Sequence, residues 1–304
     1  MQIPPVGTRV LIRHRLPAGS APPLTDVIGH LVHTQPTLAV RTKRGDVVAV
    51  SVDDVVVIKA LTDAPVRTSD IRNLEHAAAL AWPGVEQEWV DGWFCRFGHG
   101  STRRANSALP LAFSASTDLT AVRDWYAARS LPPLLSLPDR LYRVPTLAST
   151  DAENLVMTYD LAPSRVGNEV STEPRPDDEW LHVYDREVPV DVLKAVVGGP
   201  VTFASIPGAA VARAAITGAP DGTRWLGLSA LKVADQHRRH GYARTVCHAL
   251  LGWGADRGAH RAYTQVLDDN VSAIALFESM GFTLHHRSRY AALDAESDQK
   301  GGGL

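Results

Sequence analysis

Apolar positions recur along the chain with two different periods, and the change of period divides it. Over residues 8–59 apolar and polar side chains alternate in short runs, at 8–15, 26–33, 38–42, 47–51 and 55–59. Turn signals separate the runs, notably Pro17-Ala18-Gly19-Ser20, Gln35-Pro36 and Arg44-Gly45-Asp46. Short strands with such connections predict a small antiparallel barrel. From Thr68 the period becomes helical: Thr68-Ser69-Asp70 offers a cap, Ile71, Leu74, Ala78 and Trp82 lie along one side, and Pro83-Gly84 supplies the stop. Strands are expected over 89–97 and 103–109, joined by Gly98-His99-Gly100-Ser101, then a helix over 119–129 and strands over 133–137 and 154–159. Together these make an α/β unit of roughly a hundred residues, ordinary for a domain or half-domain.

Residues 162–176, rich in Pro, Ser and charge, read as a linker. A second α/β unit opens with 177–185, followed by a helix that Pro189 starts and Gly198-Gly199 ends. Strands follow at 201–206, 209–216 and 225–233, the last two joined through Ala219-Pro220-Asp221-Gly222. Ala243, Val246, Cys247, Leu250 and Gly254 then recur at helical spacing, before a strand at 262–267, a helix over 270–280 and a strand at 282–290. The tail, 297–304, has no apolar side chain before its last residue and is expected to be disordered.

Composition narrows the function. The 304 residues are 45% hydrophobic with seven Trp, enough core for two or three domains. Net charge is −2, so nothing draws the whole chain to nucleic acid or an acidic membrane. Residues 1–60 hold seven Lys or Arg against four Asp, and a surplus of three is too small for a nucleic-acid reader. The barrel therefore reads as a docking or dimerisation module, which allows a homodimer. Cys95 and Cys247 stand in apolar contexts without metal-ligand spacing, and no His pair at helical spacing with a Glu marks a zinc site. No signal-like or membrane-spanning run occurs, so a soluble, cytoplasmic protein is expected.

Local chemistry concentrates in His237-Arg238-Arg239-His240-Gly241-Tyr242-Ala243-Arg244, which follows the strand-like run 225–233 and opens a helix. A strand feeding a small-residue turn and a helix presents free backbone N–H groups and the positive end of a helix dipole, a place for an anion. Arg238, Arg239 and Arg244 reinforce that sign.

Residues 225–282 resemble the acetyl-CoA-binding core of the GNAT superfamily of N-acyltransferases. Its pyrophosphate turn is Arg or Gln, two residues, Gly, one residue, then Gly or Ala, matched here by Arg238-Arg239-His240-Gly241-Tyr242-Ala243. Downstream, Asn270, Ala273, Leu276, Phe277 and Gly281-Phe282 match its second motif. The resemblance implies acetyl-CoA as donor, with phosphates on the N–H groups from Arg239 to Arg244. It also places pantetheine along the backbone of Leu231, Lys232 and Val233, with Asn270, Ala273 and Phe277 beside the cofactor arm. Many members carry Tyr where this chain has Phe277, so the acid that protonates the thiolate is missing there. Water, or Tyr290 where the last strand brings it near, is the substitute, and a thiol with reference pKa near 8.5 needs the acid little. No Glu lies in strand 225–233, and Asp268 is the carboxylate nearest in sequence, either as base or as a helix cap.

Gly92-Trp93-Phe94-Cys95-Arg96 and the polar Arg103, Asn106 and Ser107 resemble the degenerate first half of bacterial GNAT proteins, some of which carry a small barrel in front. The expected fold is thus α/β of the α+β kind: tandem GNAT-like mixed sheets preceded by a small all-β barrel. Its parts are the barrel at 1–62, here resembling a Src-homology-3-like barrel, a degenerate half at 63–170 and an active half at 171–304. The expected function is acetyl-CoA-dependent transfer to a small-molecule or peptide amine, attacked directly. A catalytically silent acyl-CoA-binding regulator is the alternative.

Overall fold

The computed structural model describes residues 3–17, 19–42, 45–61, 66–142, 149–161 and 170–293. Residues 162–169 of the expected linker and the 297–304 tail lie outside the described residues. Contacts divide the chain into two units, Met1–Pro65 and Val66–Leu304. In the first, β1 (Arg9–Arg15), β2 (Leu24–His33), β3 (Leu38–Thr42), β4 (Val47–Val50) and β5 (Val55–Ala60) form an antiparallel sheet in the order β4-β3-β2-β1-β5. Alternation buries Val10 and Ile12 of β1 against Val27, Leu31, Leu38 and Val40. A 3-10 turn at Val52–Asp54 turns the chain from β4 into β5.

The second unit opens with α1 (Thr68–Ala81), where Ile71, Leu74 and Ala78 are buried as their spacing requires. It stops at Trp82, which takes an extended φ of −142° ahead of Pro83. The expected Thr68-Ser69-Asp70 cap does not form; the cap position is Arg67, without a side-chain bond. The strand expected over 89–97 is a hairpin, β6 (Glu86–Val90) and β7 (Trp93–Phe97), around Asp91-Gly92 at φ 46° and 85°. Asp-Gly with two positive φ values is a strong hairpin turn.

The strand expected over 103–109 is instead a 3-10 turn at Arg104–Asn106 followed by isolated bridges at Ala108 and Leu109. Asn106 explains this. Its Oδ1 accepts from Gly98 N at 2.7 Å and Gly100 N at 3.0 Å, and its Nδ2 donates to Thr102 O at 2.7 Å. Such side-chain bonds to backbone compete with a ladder.

Then come α2 (Thr120–Ala127), β8 (Leu134–Pro138), β9 (Ser149–Asp160), β10 (Ser171–Glu173), α3 (Asp178–Tyr184) and α4 (Val190–Lys194). Asp177 caps α3, accepting from Trp180 N at 2.7 Å. Pro189 starts α4 as its cap, but the helix ends at Lys194, before Gly198-Gly199. The chain continues with β11 (Val201–Ile206), β12 (Ala210–Gly218), β13 (Arg224–Val233), α5 (Tyr242–Asp256), β14 (Arg261–Leu267), α6 (Val271–Ser279) and β15 (Thr283–Ala292).

The strands from 134 onward share one mixed sheet of eight strands, in the order β10-β11-β12-β13-β14-β9-β15-β8. Where the sequence reads as two tandem sheets, β9 from before the linker lies between β14 and β15. Val156 and Met157 of β9 point to opposite faces and are both buried, so β9 needs cover on both faces of the sheet. Alternation sorts the two faces. Ala212, Ala214, Leu226 and Leu228 pack with Val246 and Leu250 of α5. Ala215, Trp225 and Tyr263 pack with Leu74, Ala77 and Ala81 of α1 on the other side.

Candidate active site

β13 and β14 are the parallel pair, and they pair only from Trp225↔Arg261 to Leu228↔Thr264. Both strands continue, to Val233 and Leu267, so they diverge and leave the β14-facing edge of β13 without a ladder partner beyond Leu228 among the described residues. A bulge against β12, with Ala230 at φ 53°, re-aims the backbone at the point of divergence. Positive φ at a residue with Cβ is strained, and such strain collects at functional sites.

A cleft of about 340 Å³ fills the gap. Its walls include Leu231 of the open edge and Asn270, Ala273 and Phe277 of α6. Tyr290, only 8% exposed, closes it from β15. The structure thus gathers five of the residues expected at the site. Lys232 and Val233 continue the open strand beyond the cleft, with Lys232 Nζ 4.0 Å from the Asp185 carboxylate.

The turn follows. A 3-10 segment, Asp235–His237, leads to Arg239 at φ 65° and Gly241 at φ 83°, which caps α5. Among the described residues, no acceptor takes the backbone N–H of Arg239, His240, Gly241, Tyr242, Ala243 or Arg244. Free N–H groups around two left-handed residues at a helix start form an anion-binding concavity. The requirement for glycine at 241 is its φ, since a Cβ there meets nothing within 4 Å. The three arginines differ. Arg238 pairs with Asp235 at 2.8 Å, Arg244 donates to Ser279 Oγ at 2.6 Å and so ties α5 to α6, and Arg239 projects without a partner among the described residues.

Asn270 caps α6, its Oδ1 accepting from Ala273 N at 3.1 Å, so the cap assigned to Asp268 as an alternative belongs to Asn270. Asp268 is exposed on the β14–α6 connection and does not line the cleft. Phe277 is buried, edge-on to Phe282 at 5.1 Å between ring centroids. Cys247 also lines the cleft, and burial pushes its thiol up to about 12, which leaves it without nucleophilic thiolate.

Several buried groups escape sequence reasoning. Glu75 of α1 and His286 of β15 meet in a buried hydrogen bond, Oε1 to Nε2 at 2.8 Å, with side chains 2% and 1% exposed. Arg213 is buried, with Nε donating to Leu193 O at 2.6 Å and Nη2 to Ala81 O at 2.9 Å, and burial pushes its guanidinium down to about 9. Their signals were present. Glu75 lies four residues after Ile71 on the apolar stripe, and Arg213 interrupts the apolar run 209–216. Arg96, also buried, donates to Ser107 Oγ at 2.7 Å and to Trp82 O at 3.3 Å.

Comparison with known proteins supports this architecture. Residues 68–291 match the family model described as "Probable histone acetyltransferase Rv0428c C-terminal", and residues 4–59 match "Rv0428c N-terminal Sm-like domain", also a small barrel. The chain is 50% identical over 289 residues to "Probable histone acetyltransferase Rv0428c" of Mycobacterium tuberculosis, covering 94% of this chain and 95% of that one. It is 23% identical over 245 residues to the "Uncharacterized N-acetyltransferase YobR" of Bacillus subtilis, covering 70% and 95% of the two chains. Among solved structures, a GCN5-related N-acetyltransferase from Kribbella flavida shares the fold, with a TM-score of 0.54 at 12% identity over 76% of this chain and 98% of that one. The chain belongs to the Rv0428c-type acetyltransferase family, with an Sm-like domain ahead of a region that has a GNAT-like fold.

Proposed function

We propose that this acyltransferase takes its acetyl group from acetyl-CoA and transfers it to an amine nitrogen by direct attack in a ternary complex. The observation that carries the reading is the open edge of β13 running into six unclaimed N–H groups, from Arg239 to Arg244. The open edge accepts the amides of a pantetheine arm as an added strand, and the turn accepts its pyrophosphate. When bound, acetyl-CoA supplies a thioester carbon; the N–C bond forms as the C–S bond breaks, and the amine loses a proton while the thiolate gains one.

The chain's own groups then divide the work. Backbone around Leu231 and Val233 orients the thioester, and the walls of the cleft hold the two reactants in line. Tyr290 presents the hydroxyl that protonates the thiolate, a role Phe277 cannot fill. Among the described lining there is no carboxylate and no His, so the amine loses its proton to water in the cleft. The elevated Cys247 thiol argues against a covalent acyl-enzyme and for direct attack.

The test is a calorimetric titration with acetyl-CoA, followed by thiol release over a broad amine panel. Binding with turnover is expected. Binding without turnover on any amine supports the silent acyl-CoA-binding alternative, and absence of binding overturns both.

A further inference from the structure

The cleft reaches through the diverging strands to the face of the sheet opposite α5 and α6. There its walls are Trp82, which follows α1, Arg103 and Arg104 from the 3-10 turn, and Tyr184 and Arg186 at the end of α3. Acetyl-CoA enters from the α5 side by the reading above, so these residues face the second reactant. We propose that this reactant is an amine carrying an anionic group, a carboxylate or a phosphate, read by Arg104 and Arg186. The inference deepens the acetyl-transfer reading and rests on it.

Charge is the first argument. Three arginines and no Asp or Glu line the described cleft. The smaller pocket that adjoins it shares Arg104 and Tyr290 and adds Arg96 and Glu75. Glu75 is the single carboxylate there, and it is engaged by His286 at 2.8 Å. Asp185, next to Arg186 in the chain, is 4.0 Å from Lys232. A polycationic substrate would meet like charge from Arg104 and Arg186, which is costly where water is partly excluded.

Unsatisfied donors are the second argument. Nε of Arg104 and Nε1 of Trp82 are buried and have no hydrogen-bond partner among the described residues. The two side chains are adjacent, with the guanidinium carbon 5.6 Å from the Trp82 ring centroid. Buried donors without acceptors are expensive to maintain, and an oxyanion between them supplies what they lack. Carboxylate and phosphate both match the planar fork of a guanidinium.

Deprotonation is the third. Nearby cations favour the neutral form of an amine, and an amine must be neutral to attack. A cationic cleft without a carboxylate or imidazole in its described lining promotes that form at the reacting nitrogen, while the substrate's anion offsets the charge further out.

Matched acceptors separate the outcomes. Thiol release is measured with α-amino acids against their carboxamides, with aminoalkyl phosphates against the parent amino alcohols, and with a polyamine and a lysine-rich peptide. The anionic member of a pair is expected to exceed its neutral partner at least about tenfold in kcat/KM, and whichever pair shows it names the anion. Arg104→Gln, and the exposed Arg186→Gln where the first variant folds poorly, are expected to remove that preference while acetyl-CoA affinity stays unchanged. Equal or better turnover of carboxamides, polyamine or peptide overturns the proposal, as does a preference that survives both substitutions. Calorimetry with N-acetyl amino acids and aminoalkyl phosphates, without nucleotide, reports the anion site independently. Their binding in a protein that fails to bind acetyl-CoA overturns the transfer reading alone; their failure to bind beside normal acetyl-CoA binding overturns the anionic acceptor alone.

Discussion

The two faces of the central sheet offer polar groups of different kinds. On the α5 side the proposed anion site is one continuous stretch, Arg239–Arg244, whose backbone N–H groups lack acceptors among the described residues and surround two left-handed residues. On the α1 side, Trp82, Arg104 and Arg186 line the cleft from three separate segments, and the proposed anion contact there is made by side chains. A ligand used by a whole superfamily can be gripped by backbone, which tolerates sequence change, whereas a substrate peculiar to one enzyme is read by side chains. The contrast predicts that damage on the α5 side removes donor binding, and damage on the α1 side alters stability or acceptor choice.

The largest effect belongs to Glu75. Glu75→Ala leaves the buried Nε2 of His286 without its hydrogen-bond partner and a cavity beside it, and is expected to cost about 3 kcal/mol or more, measured by urea unfolding. A loss under about 1 kcal/mol would show that the pair is relaxed or hydrated. On the opposite face, Ala243→Trp introduces bulk at the first turn of α5. It is expected to weaken acetyl-CoA binding at least about 100-fold, about 2.7 kcal/mol, with an unchanged unfolding midpoint. Unchanged affinity would move the donor site elsewhere.

His285 sharpens the comparison through pH. Burial, then the neighbouring His286, Arg261 and Arg140, push its imidazole down to about 3. Between pH 6.5 and 3 the unfolded chain therefore binds more protons at this residue than the folded one, so its contribution to stability rises with pH and is lost on acidification. The slope is at most about 1.4 kcal/mol per pH unit, and His285→Asn is expected to flatten it in unfolding measured across that window. A profile identical in the variant would assign acid sensitivity to other groups.

Tyr290→Phe carries the smallest expected change, a drop in kcat of less than about tenfold with the KM for acetyl-CoA unchanged, because a thiolate leaves readily without an acid. A loss above about a hundredfold would make Tyr290 indispensable and imply direct contact with the reacting atoms.

Legibility followed the same division. The turn at 238–243, the open strand at 231–233 and the second motif at 270–277 were readable because each is local, a spacing along one strand or helix. Residues 103–109 have the pattern of a strand, yet Arg104–Asn106 form a 3-10 turn because Asn106 accepts a bond from Gly98, eight residues away. The hairpin at Asp91-Gly92 was readable in principle, since its turn signal stands in the sequence.

Sequence alone determined that an arginine-rich turn with a glycine helix cap follows a strand, that a small barrel precedes the α/β region, and that Phe277 brings no hydroxyl to the cleft. Those properties depend on short-range geometry, which residue type and spacing control. Only the tertiary structure decided that β9 enters the sheet beside β14, that β13 and β14 part after Leu228↔Thr264, and that Arg104 and Arg186 share a wall with Tyr290. Strand partners and buried charge pairs are chosen by which surfaces meet across long stretches of chain, and the alternation of apolar residues says only that a strand needs a partner, not which one it takes.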